Sequence, residues 1–582
     1  MTTIAMTSYK AIWALDFEFI ARDGQPPVVV CLVAHELLSN SWVRVWQDKF
    51  SAPPFPLDQE TLFVAYSASA EWASFLALGW PMPTRCIDLY AEFKRMKNGS
   101  YDGKIFPSLL AAASHFEITT TDADHKCAMR DLIIAGGPWS AEQQQEIMDY
   151  CAADVAMTSD LLRAMTAFIF QDATTLGGAL LRGRYTCAAA HMERNGIPID
   201  VGALSRLLAG WDDIKLGLIC DIDQHYGVFS GTTFVAARFE SYLTKHGIPW
   251  PRLASGNLML DDDTFRERAK AYPQIGPLRE LRHAIGKMRL SSLTVGHDGR
   301  NRTSLMPFGS KTGRNQPSNS RFIFGTSRWL RSLIKPAQGR ALAYVDWSSQ
   351  EIAIAAALSG DEALWSAYES GDPYMAFAVQ SGLAPVGATK ATHKGERQRA
   401  KAIVLGVGYG MSPESIAVQA GIHLDEARDL LQRHKLTYQK FWAWALLNQN
   451  AGLLGLPLQT KFGWTWKAGS GTSVNPRSLL NWPMQANGAE MMRIACCELT
   501  EKGIVVCCPV HDALLVEADI GDIERVITAT RKAMEQASQL VLGHGRTVRT
   551  DVDVVCYPDR FSDEAGVEMW ESVMARLSAQ GY

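Results

Sequence analysis

Two sets of acidic residues sit on segments that are otherwise apolar. In RALAYVDWSSQEIAIAA, Asp346 ends a strand-like run and Glu351 opens a helical pattern. In GIVVCCPVHDALLVEAD, His511 and Asp512 occupy the bend between two apolar runs, a place where a carboxylate would be held rigidly. Nearer the N-terminus, AIWALDFEFI alternates with period two. Trp13, Leu15, Phe17 and Phe19 fall on one face, and Ile12, Ala14, Asp16, Glu18 and Ile20 on the other. Two carboxylates on an apolar strand face are costly unless they are neutralised, and a divalent metal ion would do so. A strand end whose acids reach water is the alternative. In IMDYCAADV, Tyr150 and Asp154 lie four apart and share a helix face.

Cations complement the C-terminal set. In THKGERQRAKAIVLGVGYGM, Arg397, Lys401, Leu405 and Tyr409 recur every four residues. At 3.6 residues per turn they form a stripe of two cations, an apolar side chain and an aromatic. Cations four apart repel on a bare helix, and a bound polyanion reverses the sign. Gly406, Gly408 and Gly410 weaken the end of that helix. Between Arg282 and Arg340 twelve basic residues face one acid, Asp298, a local charge of +11 in a chain of net charge -4. A run of this kind reads as a phosphate-contacting segment.

The elements that must position these groups follow a coarse pattern. The 582 residues are 47% hydrophobic and 20% charged, which is globular composition and excludes a disordered or collagen-like chain. No apolar run is long enough for a membrane helix, and no secretory signal is visible. Eleven cysteines without C-x-x-C spacing read as reduced thiols in a cytoplasmic protein. Residues 1–165 read as an α/β unit, with strands over Lys10–Ile20 and VVVCLVAHELL and helix from Glu142 to Ile169. Residues 175–290 read as mostly helical, and strands alternate with helices from Ser291 onward.

The C-terminal motifs resemble those of family A (DNA polymerase I-like) polymerases. D-x-S-x-x-E (Asp346, Glu351), R-x-x-x-K-x-x-x-hydrophobic-x-x-x-Y-G (Arg397 to Gly410) and H-D (His511, Asp512) occur in order. Thr312-Gly313-Arg314 is similar to the T-G-R element. Arg477, Asn481 and Gln485 give R-x-x-x-N-x-x-x-Q, and HMERNGIPID is similar to the segment that opens the polymerase region. Asp16-x-Glu18 with Tyr150-x-x-x-Asp154 resembles the 3′–5′ proofreading exonucleases of the ribonuclease-H-like fold. That family shows N-x-x-x-D where VAYSASAEW here gives Ser67 and Glu71, and Asp88 competes as a ligand or starts a helix.

The resemblance implies an α/β plus α+β architecture. A ribonuclease-H-like exonuclease domain over 1–170 would precede a right-hand polymerase domain over 171–582. Within the latter, about 190–310 would be thumb, about 311–360 and 475–582 palm, and about 361–474 fingers. It implies two Mg²⁺ ions on Asp346 and Asp512. It also implies two divalent ions, Mg²⁺ or Mn²⁺, at an exonuclease site of Asp16, Glu18, Glu71 and Asp154, where Tyr150 orients water. Arg397 and Lys401 would grip the triphosphate, with Lys401 also donating a proton to pyrophosphate. Leu405 and Tyr409 would pack near sugar and base, and His511 would line the same substrate site. Glu351 would fill the space beside C2′ and so favour deoxynucleotides over ribonucleotides. Thr312, Arg314, Arg477, Asn481 and Gln485 would face the DNA, with Arg314 and Gln485 on minor-groove acceptors.

The implied partners are primer-template DNA, dNTPs and replication accessory proteins of unstated identity, for a monomer that does not meet a membrane. No separate 5′-nuclease domain fits before Asp16, and this layout suits a bacteriophage enzyme working in host cytoplasm. Leu405, Ala513 and Ala353 depart from the family pattern. Two other readings stay open: a polymerase whose exonuclease domain is an inactive DNA-binding scaffold, and a non-catalytic DNA-binding protein.

Overall fold

The structure is a computed structural model that describes residues 8–99, 107–120, 123–287, 290–408, 410–468 and 474–582. Two sheets organise it. The first contains β1 (Ala11–Ile20), β2 (Val28–Glu36), β3 (Ser41–Trp46), β4 (Thr61–Ala65) and β5 (Cys86–Asp88), in the order β3-β2-β1-β4-β5. The first three strands are antiparallel neighbours, and β4 and β5 run parallel to β1. The alternation in β1 separates two cores. Trp13, Leu15 and Phe17 join Phe55, Phe63, Trp72 and Phe75 on one side; Ala14 packs with Ile147, Cys151 and Val155 on the other. Asp16 is thereby turned toward the long helix carrying Cys151, with the Cys151 Sγ 3.5 Å from its Oδ2. The pairing of β1 with β2 shifts register between Glu18 and Phe19, an irregularity that re-aims the strand end next to these acids.

Four helices frame this sheet: α1 (Ser69–Leu78), α2 (Ala123–Ala135), α3 (Ala141–Ile169) and α4 (Ala173–Asn195). A Ser140–Gln143 capping box starts α3, satisfying two backbone donors that a helix start leaves free. Helix α4 lies so close to β5 that a Cβ at Gly183 would stand 1.9 Å from the Cys86 carbonyl oxygen, so only glycine fits there. The same helix carries Arg182 into a buried ion cluster. Its Nε lies 2.5 Å from Glu92 Oε1, and Arg95 Nε lies 3.0 Å from Glu92 Oε2. Burial alone would raise the Glu92 pKa; the Arg182 and Arg95 guanidiniums outweigh it and hold the carboxyl below its usual value.

The second sheet is fully antiparallel. It contains β6 (Arg340–Trp347), β7 (Val505–Val510), β8 (Ala513–Asp519) and β9 (Thr550–Cys556), in the order β7-β8-β6-β9. Residues from 311–360 and from 475–582 therefore share one sheet. After β6 the chain enters α5 (Gln350–Ser359); α7 (Pro476–Glu501) and α8 (Ile523–Leu542) pack against the sheet and α5 packs against α7, while α6 (Lys394–Gly408) stands among the helices between 361 and 453. A separate apolar cluster holds Leu207, Phe239, Phe265 and Ile275 from the mostly helical stretch 201–287, together with Leu330, Leu342 and Leu515. Among the described residues no helix is long and apolar enough to cross a membrane.

The basic run differs from its expected role. Arg300 pairs with Glu517 at 2.6 Å, Arg302 with Asp298 at 2.6 Å, Arg321 with Asp23 at 3.0 Å and Arg331 with Asp563 at 2.8 Å. Arg340 pairs with Glu517 and Asp519, and Lys335 lies 3.8 Å from Asp200. Arg282 stacks over Phe234 and Phe265. Among the described residues, several cations of the +11 segment are therefore already met by acids rather than free. Arg300, Arg321, Arg331, Lys335 and Arg340 tie segments together through acids distant in sequence, which a count within one window misses.

Candidate functional site

The C-terminal acids converge through the second sheet. Asp346 is the penultimate residue of β6, beside Ala513 of β8 on one side and Asp551 of β9 on the other. Asp512 sits in the two-residue bend between β7 and β8, where His511 takes a left-handed φ of 55°. The Asp512 carbonyl oxygen accepts the Trp347 N–H at 3.1 Å, which fixes the bend against the end of β6. Burial first, then the adjacent Asp512 charge, push Asp346 up to about 7. Its Oδ1 is buried without a hydrogen-bond partner. An orphaned carboxylate oxygen beside a second acid fits a divalent cation.

A cavity of about 450 Å³ opens beside this pair. Glu351, Tyr374, Leu405, Gln485, His511 and Asp512 line it, among others. Glu351 stands in the first turn of α5, where burial raises its pKa against the opposing pull of Arg314, whose Nη2 lies 4.0 Å from its Oε1. Arg314 follows Gly313, whose φ is +74° and whose carbonyl oxygen accepts the Arg493 Nη1–H at 2.8 Å. On α6, Arg397 and Lys401 both approach the Tyr374 ring, at 5.4 and 5.9 Å from its centroid. Arg397 Nε donates to Asp372 Oδ2 at 2.6 Å. The described part of α6 runs to Gly408, and Tyr409 lies outside the described residues.

The remaining expected residues occupy nearby positions. Arg477, Asn481 and Gln485 follow one another at four-residue spacing on α7. Arg477 is exposed, and Asn481 Oδ1 is buried without a partner. The Thr312 hydroxyl lies 3.0 Å from that of Ser310. Sequence reading did not find Asp372 and Tyr374, which brace the cations of α6. Nor did it find Asp551, which faces Asp346 across the sheet and accepts the Ser348 hydroxyl. Alternation along β9 offered no reason to choose one acid over its neighbours.

The N-terminal acids also converge. Asp16, Glu18 and Cys151 place ligand atoms within 4.8 Å of one another. Glu71, in the first turn of α1, accepts the Phe17 N–H at 2.8 Å and is buried. Asp154 is 6% exposed and Tyr150 7%, both on the α3 face toward β1. Burial first, then the Asp154 charge, push Asp16 up to about 7. Burial and the Asp16 charge push Glu18 up to about 10. Burial and Asp16 also raise Glu71 well above the usual carboxylate range. Asp154 Oδ1 is buried with no partner, so this donor set also fits a divalent cation. Asp88 does other work: it caps the helix Leu89–Lys97 through the Tyr90 N–H and accepts the Ser67 N–H at 2.9 Å. Ser67 itself has a left-handed φ of 60°. Lys126 of α2, which sequence reading missed, sets its Nζ 2.6 Å from Asp154 Oδ2.

With the geometry in place, comparison with known proteins shows what the chain is similar to. Residues 279–556 match the model of DNA polymerase family A. The chain is 24% identical over 444 residues to DNA polymerase I of Aquifex aeolicus, covering 72% of this chain and 73% of that one. It is 28% identical over 312 residues to DNA polymerase I of Chloroflexus aurantiacus and 28% over 272 residues to the thermostable DNA polymerase I of Thermus caldophilus. Those matches cover 50% and 44% of this chain but only 33% and 32% of the relatives. In fold, the chain is similar to the POL domain of Pol1 from M. smegmatis in complex with DNA primer-template and dNTP. The TM-score is 0.71 at 18% identity, over 95% of this chain and 97% of that one.

Proposed function

We propose that the chain is a template-directed DNA-dependent DNA polymerase that extends a primer 3′-hydroxyl with dNTPs, and that its N-terminal region is a ribonuclease-H-like 3′–5′ exonuclease serving it in replication. The observation that carries the polymerase reading is the Asp346–Asp512 pair beside a cavity lined by Glu351, Leu405, Gln485 and Asp512, with Arg397 and Lys401 on the same helix as Leu405 and against Tyr374 of the cavity wall. Asp346 and Asp512 would hold two Mg²⁺ ions, which when bound activate the primer hydroxyl and stabilise the leaving pyrophosphate. Arg397, held by Asp372, and Lys401 present cations to the triphosphate. Glu351 restricts the sugar side of the cavity, and Arg314 and Gln485 stand beside it to face the nascent pair. Thr312, Arg477 and Asn481 would contact the duplex nearby.

The exonuclease reading rests on the four acids Asp16, Glu18, Glu71 and Asp154 gathered with Tyr150 around β1, and on the order of the first sheet. The test is extension of a 5′-labelled primer on a template with Mg²⁺. Template-matched extension by the unmodified chain, lost in Asp512→Ala, supports the polymerase. Shortening without dNTPs, lost in Asp16→Ala with Glu18→Ala, supports the exonuclease. Binding without extension or shortening would leave a non-catalytic DNA-binding protein.

A further inference from the structure

The N-terminal acids already contain a cation of the protein's own. Lys126 Nζ lies 2.6 Å from Asp154 Oδ2 and 5.6 Å from the centroid of the Tyr150 ring. Its side chain is 28% exposed, so the ammonium is partly withdrawn from solvent. Helix α2 packs against both β1 and α3, the two elements that carry Asp16, Glu18, Tyr150 and Asp154. Among the described residues, Lys126 is the only cation in ion-pair contact with any of the four carboxylates. We propose that the Lys126 ammonium takes the place of one divalent cation, so that this centre binds a single divalent ion between Asp16 and Glu18. The proposal rests on the exonuclease reading above.

Charge and space both lead there. Four carboxylates carry a formal charge of -4. One ammonium and one divalent ion leave a small negative remainder, whereas an ammonium and two divalent ions overshoot. A divalent ion bound to an oxygen sits about 2.0–2.1 Å from it if it is Mg²⁺. An ion on Asp154 Oδ2 would stand within a few ångströms of the ammonium that already occupies that oxygen, and repulsion at that range in a partly dry site is large. Glu71 is poorly placed to compensate, because its Oε2 accepts the Phe17 N–H. The Asp16, Glu18 and Cys151 ligand atoms lie within 4.8 Å of one another, a set that does not include Asp154. Lys126 would thus supply fixed positive charge beside Tyr150, where a two-ion site has an exchangeable one.

The test counts ions. In full-length protein carrying Asp346→Asn and Asp512→Asn, Mn²⁺ is titrated by calorimetry and by the loss of its free electron-spin-resonance signal. One Mn²⁺ is expected with Lys126 present. Two are expected in Lys126→Met, the second bound at least tenfold more tightly than any second ion of the parent. Lys126→Gln, which keeps a polar partner for Asp154, is the second variant should the first lose its native circular dichroism. Two ions of comparable affinity in the parent, or no gain of an ion in either variant, overturns the proposal and leaves the exonuclease reading intact. No Mn²⁺ in any of these proteins removes that reading and this proposal together.

Discussion

At both carboxylate centres burial and a neighbouring acid push a strand aspartate up to about 7, Asp16 on β1 and Asp346 on β6. What faces them differs. The N-terminal acids are closed in by α3 and met by Lys126, and three of the four carboxylates have raised pKa values. In the C-terminal pair Asp512 lines a cavity of about 450 Å³, and the cations of α6 are directed to Asp372 and the Tyr374 ring. On the proposed reading, a centre that must admit a triphosphate and a duplex keeps its positive charge on a separate helix. On the same proposed reading, a centre that takes one strand end can carry a cation within its own wall.

Separate substitutions should break this comparison if the two centres depend on one another. Asp512→Asn should lower primer extension about 10³-fold, the scale of removing a principal stabiliser of transition-state charge, while single-strand shortening in a gel assay stays near the parent rate. Asp16→Asn with Glu18→Gln should do the converse. Loss of both activities in either variant would show that the centres are not independent. Arg397→Ala should raise the KM for dNTP about 10- to 100-fold, as expected for a charge-assisted hydrogen bond. Asp372→Ala should cost less in steady-state kinetics, because the guanidinium survives without its brace.

Acidity gives the smallest effect and sharpens the likeness. Asp16 and Asp346 keep protons in the fold up to about pH 7, whereas the unfolded chain releases them near pH 4. The folded state then binds more protons between these values, so stability present below about pH 4 is lost as pH rises through about 7. In chelator, Asp16→Asn and Asp346→Asn should each gain melting temperature relative to the parent as pH is raised from 5 to 8. Added Mg²⁺ should narrow that gain, since it binds the ionised carboxylates.

The polymerase motifs were legible because each lies within a short window. Asp346 to Glu351, Arg397 to Leu405 and His511-Asp512 can be read from local spacing on a strand end, a helix face and a hairpin bend. The β1 alternation was legible for the same reason, since period two dictates which side chains share a face. Asp551, Asp372 and Lys126 were not, because their meaning depends on partners 205, 25 and 28 residues away across packed elements.

By itself the sequence determined the acids, their local conformations and the apolar faces that bury them, all consequences of backbone periodicity. Only the tertiary structure decided which charges meet. It paired the basic run with distant acids, placed Asp88 at a helix start and set the Lys126 ammonium against Asp154. Electrostatic interaction depends on distance and dielectric surroundings, and packing fixes both only after the chain has folded.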